Sequence, residues 1–290
     1  MKIKPTKDNL QEWTEIYVPE KDLFFLTKDN LKEIDVSDVL LMPSDEFFNH
    51  STYRQINYVN SYLYWKIKNV HYVIIAEKNW IESISAEEQR LIFNSQMQCG
   101  RGLVIPISFV DELEKIPSNY IVNQNIIIQR AMWELLEDAI KEQLLCKMVY
   151  EWWDNGDCED PPSSMPSFLK PFANTFSNRQ GANCLAAVLF AVSSGEQEWF
   201  IYEWIYQNTF IETLNRYNYE VFSGDGIQKD DVVVWKDKND VIQHAAYHIG
   251  DGLFFNKDGQ TIFNPWKILK KEQLYKDWEH LTPMKYRRFK

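Results

Sequence analysis

Cys184, His244 and Asn256 are the residues of this chain whose types and placement could do covalent chemistry. A thiol that opens a helix meets aligned peptide dipoles and the free N–H groups of the first turn. Both favour the thiolate, and so nucleophilicity. Cys184 stands at such a point: Gly181-Ala182-Asn183 is turn-prone, and Leu185 to Val192 is an apolar run with helical spacing. The same N–H groups can receive an oxyanion during acyl transfer. Further on, His244 offers an imidazole able to take the thiol proton and later protonate a leaving group. Asn256 lies beyond the hairpin signal Gly250-Asp251-Gly252, where its amide can fix the tautomer and orientation of the ring. Taken singly each residue has a plainer explanation, a core thiol or a turn asparagine. It is the set that points to acyl transfer.

Three further residues belong to this reading. Strand alternation puts His244, Ala246 and His248 on one face, so His248 is a second candidate base. Gln180, just before the cysteine, is a candidate oxyanion donor, and Arg179 a candidate partner for a substrate carboxylate.

Several elements must carry these groups. Cys184 to Val192 starts a helix, and Glu196 to Tyr217 forms a second, rich in aromatic residues. Asp231 to Trp235, Val241 to Ile249 and Leu253 to Asn256 are then strands of an antiparallel meander. In the N-terminal half, short strands are expected at Glu15–Val18, Leu23–Leu26 and Val39–Met42, with a buried strand over Val70–Ala76. Ser85 with Glu88 three residues later has the form of a capping box, and Leu103–Phe109 reads as an edge strand because Pro106 cannot donate to a ladder. Apolar positions recurring at three- and four-residue steps predict one long amphipathic helix from Asn125 to Trp153. The acidic, Pro- and Ser-rich stretch Asp154 to Pro166 predicts a linker or exposed loop. It divides the chain into an N-terminal α+β domain, 1–160, and a C-terminal domain, 161–290.

Asp231-Val232-Val233-Val234-Trp235, with His244-Ala245-Ala246-Tyr247-His248-Ile249-Gly250-Asp251-Gly252 and Asn256 after it, resembles the C-terminal pattern of NlpC-type papain-like cysteine peptidases. The resemblance covers about Phe168 to Trp278, and implies helices packed on an antiparallel sheet, giving an α+β chain overall. It places Cys184 on the family's nucleophile, His244 on its base and Asn256 on its orienting residue. Phe172 falls where the family has a tyrosine that helps the oxyanion site, and lacks that hydroxyl. Asp230-Asp231 replaces the usual Gly-Asp, and Asn183-Cys184-Leu185-Ala186 the usual Asp-Cys-Ser-Gly. The resemblance implies a cysteine peptidase or amidase with a peptide-like substrate, drawn from cell-wall peptides or isopeptides, and with no cofactor. A deamidase or acyltransferase would use the same residues. A catalytically silent scaffold serving as a binding module is the reading outside enzymology.

Composition narrows the classes. The chain has 290 residues, 45% hydrophobic and 15% aromatic, a globular composition with room for two cores. A net charge of −11 argues against a nucleic-acid partner, which calls for basic surface. The cysteines, Cys99, Cys146, Cys158 and Cys184, form no CxxC pair, so neither a metal framework nor a disulfide scaffold is expected. With no apolar leader after Met1 and no run long enough to span a membrane, a cytoplasmic protein is expected.

Overall fold

A computed structural model describes residues 1–224 and 226–289. The chain is α+β, with helices and antiparallel sheets in two compact units: Leu10–Met148, and Met1–Asn9 together with Val149–Lys290. Among the described residues no helix is long and apolar enough to cross a membrane, and no cluster of His, Cys, Asp and Glu could hold a metal.

The first unit holds most of α1 (Lys7–Ile16) and a sheet of β1 (Asp22–Leu26), β2 (Leu40–Pro43) and β3 (Tyr72–Ala76), with β3 central. Short helices α2 (Ser44–Phe47), α3 (Ile56–Ser61) and α4 (Trp80–Ser83) lead to α5 (Ala86–Cys99). Ser85 and Glu88 close the expected capping box at its start. Strand β1 is at the sheet edge but buried, and the Gln96 amide of α5 satisfies the backbone of Phe25, which has no strand partner on that side: Phe25 N–H donates to Oε1 at 2.8 Å, and Nε2 donates to Phe25 C=O at 3.2 Å. An open template for strand addition is thereby blocked. At the start of β1 the buried Asp22 accepts the Arg130 N–H at 2.9 Å, and desolvation raises its carboxyl to about 7.

Two expectations fail in this unit. Glu15 and Ile16 end helix α1 instead of forming a strand. The long helix over Asn125–Trp153 is a series of pieces: β6 (Asn125–Ile127), α6 (Arg130–Leu135), α7 (Asp138–Met148) and a π-helical turn, Val149–Trp153. Ile126, Ile127 and Ile128 are β-branched, and β6 sits between β4 (Val104–Pro106) and β5 (Ile121–Val122). Leu136 is extended, with ψ 142°, which separates the two helices. Apolar residues at helical steps are equally compatible with both arrangements, because a short break can preserve the buried face.

The second unit carries a six-stranded sheet. Helices α8 (Cys184–Val192) and α9 (Gln207–Arg216) precede β7 (Tyr219–Val221), β8 (Val232–Lys236), β9 (Ile242–Gly250), β10 (Leu253–Lys257) and β11 (Trp266–Lys270). Helix α10 (Lys271–Asp277) and β12 (Thr282–Arg288) complete it, in the order β11-β10-β9-β8-β12-β7. In the turn between β9 and β10, Asp251 and Gly252 both have positive φ, as a two-residue hairpin loop requires. Every α8 residue after Cys184 is buried, so the helix is apolar all round and forms the centre of this unit's core. Val234, Ala245, Tyr247, Phe255 and Ile268 face it. On the opposite face Val233, Trp235, Ala246 and Phe254 pack with Leu274, Tyr275 and Trp278.

The expected second helix is interrupted: Glu198–Tyr202 is a 3-10 turn, and the loop after it leaves Trp204 and Tyr206 exposed before α9 begins. The expected linker also lies inside this unit, which starts at Val149 rather than after residue 160 and recruits the chain start. The Met1 ammonium donates to Cys158 C=O at 2.6 Å and Ile3 N–H to Gly156 C=O at 2.9 Å. Gly156 has φ 77°, and a Cβ there would lie 2.4 Å from Ile3 C=O, so this approach needs glycine.

Candidate active site

Asn183 starts α8. Its extended backbone and its Oδ1, which accepts Ala186 N–H at 3.0 Å, make it the N-cap, and Cys184 is the first helical residue. Asn183 Nδ2 also donates to Ile205 C=O at 2.8 Å, tying the aromatic loop to the helix start. The Cys184 thiol is thus in the electrostatic setting its sequence promised, next to the amides of Cys184, Leu185 and Ala245. Desolvation nevertheless dominates, and with the charge of Asp258 nearby it pushes the thiol up to about 11 against the pull of those amides.

His244 pairs with Trp235 across β9 and β8, and its ring stacks flat on Trp278 at 4.5 Å and 9°. Only 1% exposed, it is driven by burial down to about 3. Asn256, twelve residues on and one strand over, places Nδ2 3.4 Å from His244 Nε2. The same Nδ2 donates to Asp258 Oδ1 at 3.0 Å, and Asp258 Oδ1 is 3.8 Å from His244 Nε2. Asp258 thereby sets the amide orientation: turning Oδ1 of Asn256 toward the ring would face it against a carboxylate. In this arrangement the acceptor for a protonated Nε2 is Asp258, with Asn256 bridging the two.

Asp258 is itself anchored. Lys267 Nζ lies 3.7 Å from it and 2.8 Å from Asp154, and all but a few per cent of the Lys267–Asp154 pair is buried. Burial works to lower the Lys267 ammonium, but Asp258 and Asp154 outweigh it and hold it above the usual lysine range. Lys257, fully buried, donates to the carbonyls of Gly259, Thr261 and Asn264 at 2.9, 3.0 and 2.7 Å, which fixes the loop after β10. Burial brings it down to about 7.

Cys184 and His244 reach this place from opposite faces of the sheet, the thiol on α8 and the imidazole with Trp235 and Trp278. Both line one cleft of about 360 Å³, together with Asp258. Among the described residues no hydrogen bond joins thiol to imidazole. With one group pushed up and the other down, the resting pair is neutral thiol and neutral imidazole.

The remaining candidates lie elsewhere. His248 shares the face of His244, and its Nδ1 is 2.7 Å from Gln228 C=O, a structural contact between loop and strand. Gln180 precedes α8 in the loop that Gly181 N–H ties to Gln260 C=O, and does not line the cleft. Phe172 packs edge-on to Phe190, Tyr202 and Trp266 as part of the core. Arg179 lies over the Tyr202 ring at 4.7 Å. Asp231, next to the altered Gly-Asp position, is bound bidentately by Arg287 at 2.8 and 2.6 Å.

Sequence reasoning missed Asp258, Lys267 and Asp154. Lys257 ends β10 and Lys267 lies between Trp266 and Ile268 of β11, and a lysine within such apolar surroundings was the available signal: a buried ammonium demands carboxylates or carbonyls around it. No family model, no curated protein and no solved structure matches the chain.

Proposed function

We propose that the unit bearing Cys184 is a cysteine hydrolase of papain-like type, cleaving a peptide-like amide through an acyl-enzyme. One observation carries this: a thiol at a helix start and an imidazole held at Nε2 open onto the same cleft. The thiol attacks the substrate carbonyl as its proton passes to His244 Nδ1, in the tautomer whose own proton sits on Nε2 toward Asp258, and the oxyanion develops beside the amides of the first turn of α8. The imidazolium then protonates the leaving amine, and a water activated by the same ring releases the acyl group. Because the resting pair is neutral, proton transfer accompanies attack instead of preceding it. Asp258 stabilises the positive ring that this step creates.

The test is turnover of amide substrates by wild-type, Cys184→Ala and His244→Ala chains. Loss to background in the first variant and by roughly 10²–10⁴-fold in the second is expected. Turnover unaffected by either substitution would refute the assignment.

A silent scaffold is the second reading, and one observation favours it: the thiol is pushed up to about 11, without a hydrogen bond to the imidazole. In that case Cys184 reacts with electrophiles as an ordinary buried thiol, identically in the wild type and in His244→Ala.

A further inference from the structure

The lining of the Cys184 cleft bears on what can enter it. One wall is apolar, formed by Leu185, Trp204, Ile205, Tyr206, Val241 and Ile242. Three of these are substantially in water: Trp204 is 37% exposed, Tyr206 68% and Val241 46%. The Trp204 and Tyr206 rings stand 6.3 Å apart at 75°, an open corner of two aromatic surfaces. Clustered exposed aromatics beside a cleft are surface that a ligand covers.

Much of the cleft's amide capacity is already used. Asn183 is bonded at both ends, to Ala186 N–H and Ile205 C=O. Gln207 accepts Ile242 N–H at 2.8 Å and donates to Asp240 C=O at 3.1 Å. Gln243 donates to Asp237 at 3.0 Å. Among the described residues lining the cleft there is no lysine or arginine, and the one carboxylate is Asp258. The cation nearest in sequence, Lys257, is buried and committed to three loop carbonyls. A carboxylate brought into this cleft would find no cation in the lining and face Asp258, whose neighbouring ammonium, Lys267, is buried and paired with Asp154.

We infer that the cleft selects an uncharged group with aromatic or aliphatic side chains next to the reacting carbonyl, and rejects groups bearing carboxylates there. This builds on the cysteine-hydrolase reading for the identity of the reacting carbonyl, while the selection itself is a property of the cleft. It turns the choice of substrate away from carboxylate-rich cell-wall stem peptides and toward apolar peptide or acyl amides. Trp204 and Tyr206 are the specificity-determining side chains.

The experiment uses the full chain carrying Cys184→Ala, which cannot turn over. An N-acetylated phenylalanyl-alanine amide and an N-acetylated glutamyl-alanine with free carboxylates are titrated by NMR at the same pH. The neutral peptide is expected to bind at least about tenfold more tightly, a difference of about 1.4 kcal/mol. Adding Trp204→Ala or Tyr206→Ala is expected to remove most of that preference without moving the melting temperature. Equal or tighter binding of the anionic peptide, or no binding of either, overturns the inference. The chemistry is read separately, on the unmodified thiol, from His244-dependent labelling of Cys184. Loss of labelling with preserved selectivity would sink the hydrolase reading alone, and the reverse result the cleft inference alone.

Discussion

At the scale of single residues, the proposed catalysis depends on how His244 is held. Asn256 contacts Nε2, but the charge that can receive a proton from that nitrogen belongs to Asp258. Asp258→Asn should therefore lower kcat/KM on the order of 10²-fold or more, through loss of the partner for the charged ring. Asn256→Ala should cost less. The pH–rate profile of Asp258→Asn distinguishes a positioning role from a general loss of fold, since only the former moves the apparent pKa of the base. An unchanged profile and rate would show that Asp258 does not act on the ring. The buried Lys267–Asp154 pair makes a separate prediction. Lys267→Met leaves Asp154 without its cation and should destabilise the chain by about 3–5 kcal/mol in urea denaturation. Adding Asp154→Leu should recover most of that loss.

At the scale of elements, the legible features obey short-range rules. The capping box at Ser85, the Asp251-Gly252 hairpin and the division of β9 residues between the two faces of the sheet are local, and the structure has all three. The placement of Asn256 against His244 needs more than that hairpin: a register shift between Leu253 and Phe254 pairs Phe254 with His248 and Phe255 with Tyr247, which turns Asn256 to the face of His244. The illegible features depend on partners distant in sequence. Leu136 breaks a helix that its own periodicity would continue, and Met1–Asn9 joins a unit that starts again at Val149. Asp258 reads in the sequence as one more polar residue of a turn. Its role appears only when Lys267 and His244 are brought beside it. The start of α8 offers an element-level test. Asn183 both caps the helix and holds the Trp204 loop through Ile205 C=O. Asn183→Ala should cost about 1–2 kcal/mol of stability by chemical denaturation, and reduce turnover more than that loss alone explains. A stability change with turnover untouched would separate the cap from the site.

At the scale of the whole molecule the two units carry opposite pH responses. His244 has a native pKa of about 3, below its ordinary 6.5, so across that window the unfolded chain binds the extra proton. Stability of the C-terminal unit should rise with pH through this range, and be lost as pH falls from about 6.5 toward 3. Asp22 has the reverse shift, to about 7 from 3.8, so the native state holds the proton there. Its contribution is present at low pH and is lost as pH rises through about 7. Hydrogen exchange of β9 and β1 amides, compared near pH 5 and pH 8, should show protection rising in the first and falling in the second. Asp22→Asn should flatten only the second. The chain also contains four cysteines, Cys99, Cys146, Cys158 and Cys184, of which one is proposed to be a nucleophile. The most direct test is therefore a single labelling experiment on the intact protein. A neutral, phenylalanine-bearing peptide vinyl sulfone is added to wild-type and His244→Ala chains, and the modified cysteine is identified by mass spectrometry. One adduct is predicted, at Cys184, forming roughly 10²-fold or more faster in the wild type. Equal rates in the two chains, or adducts spread over the other thiols, would contradict a His244-assisted nucleophile at the start of α8.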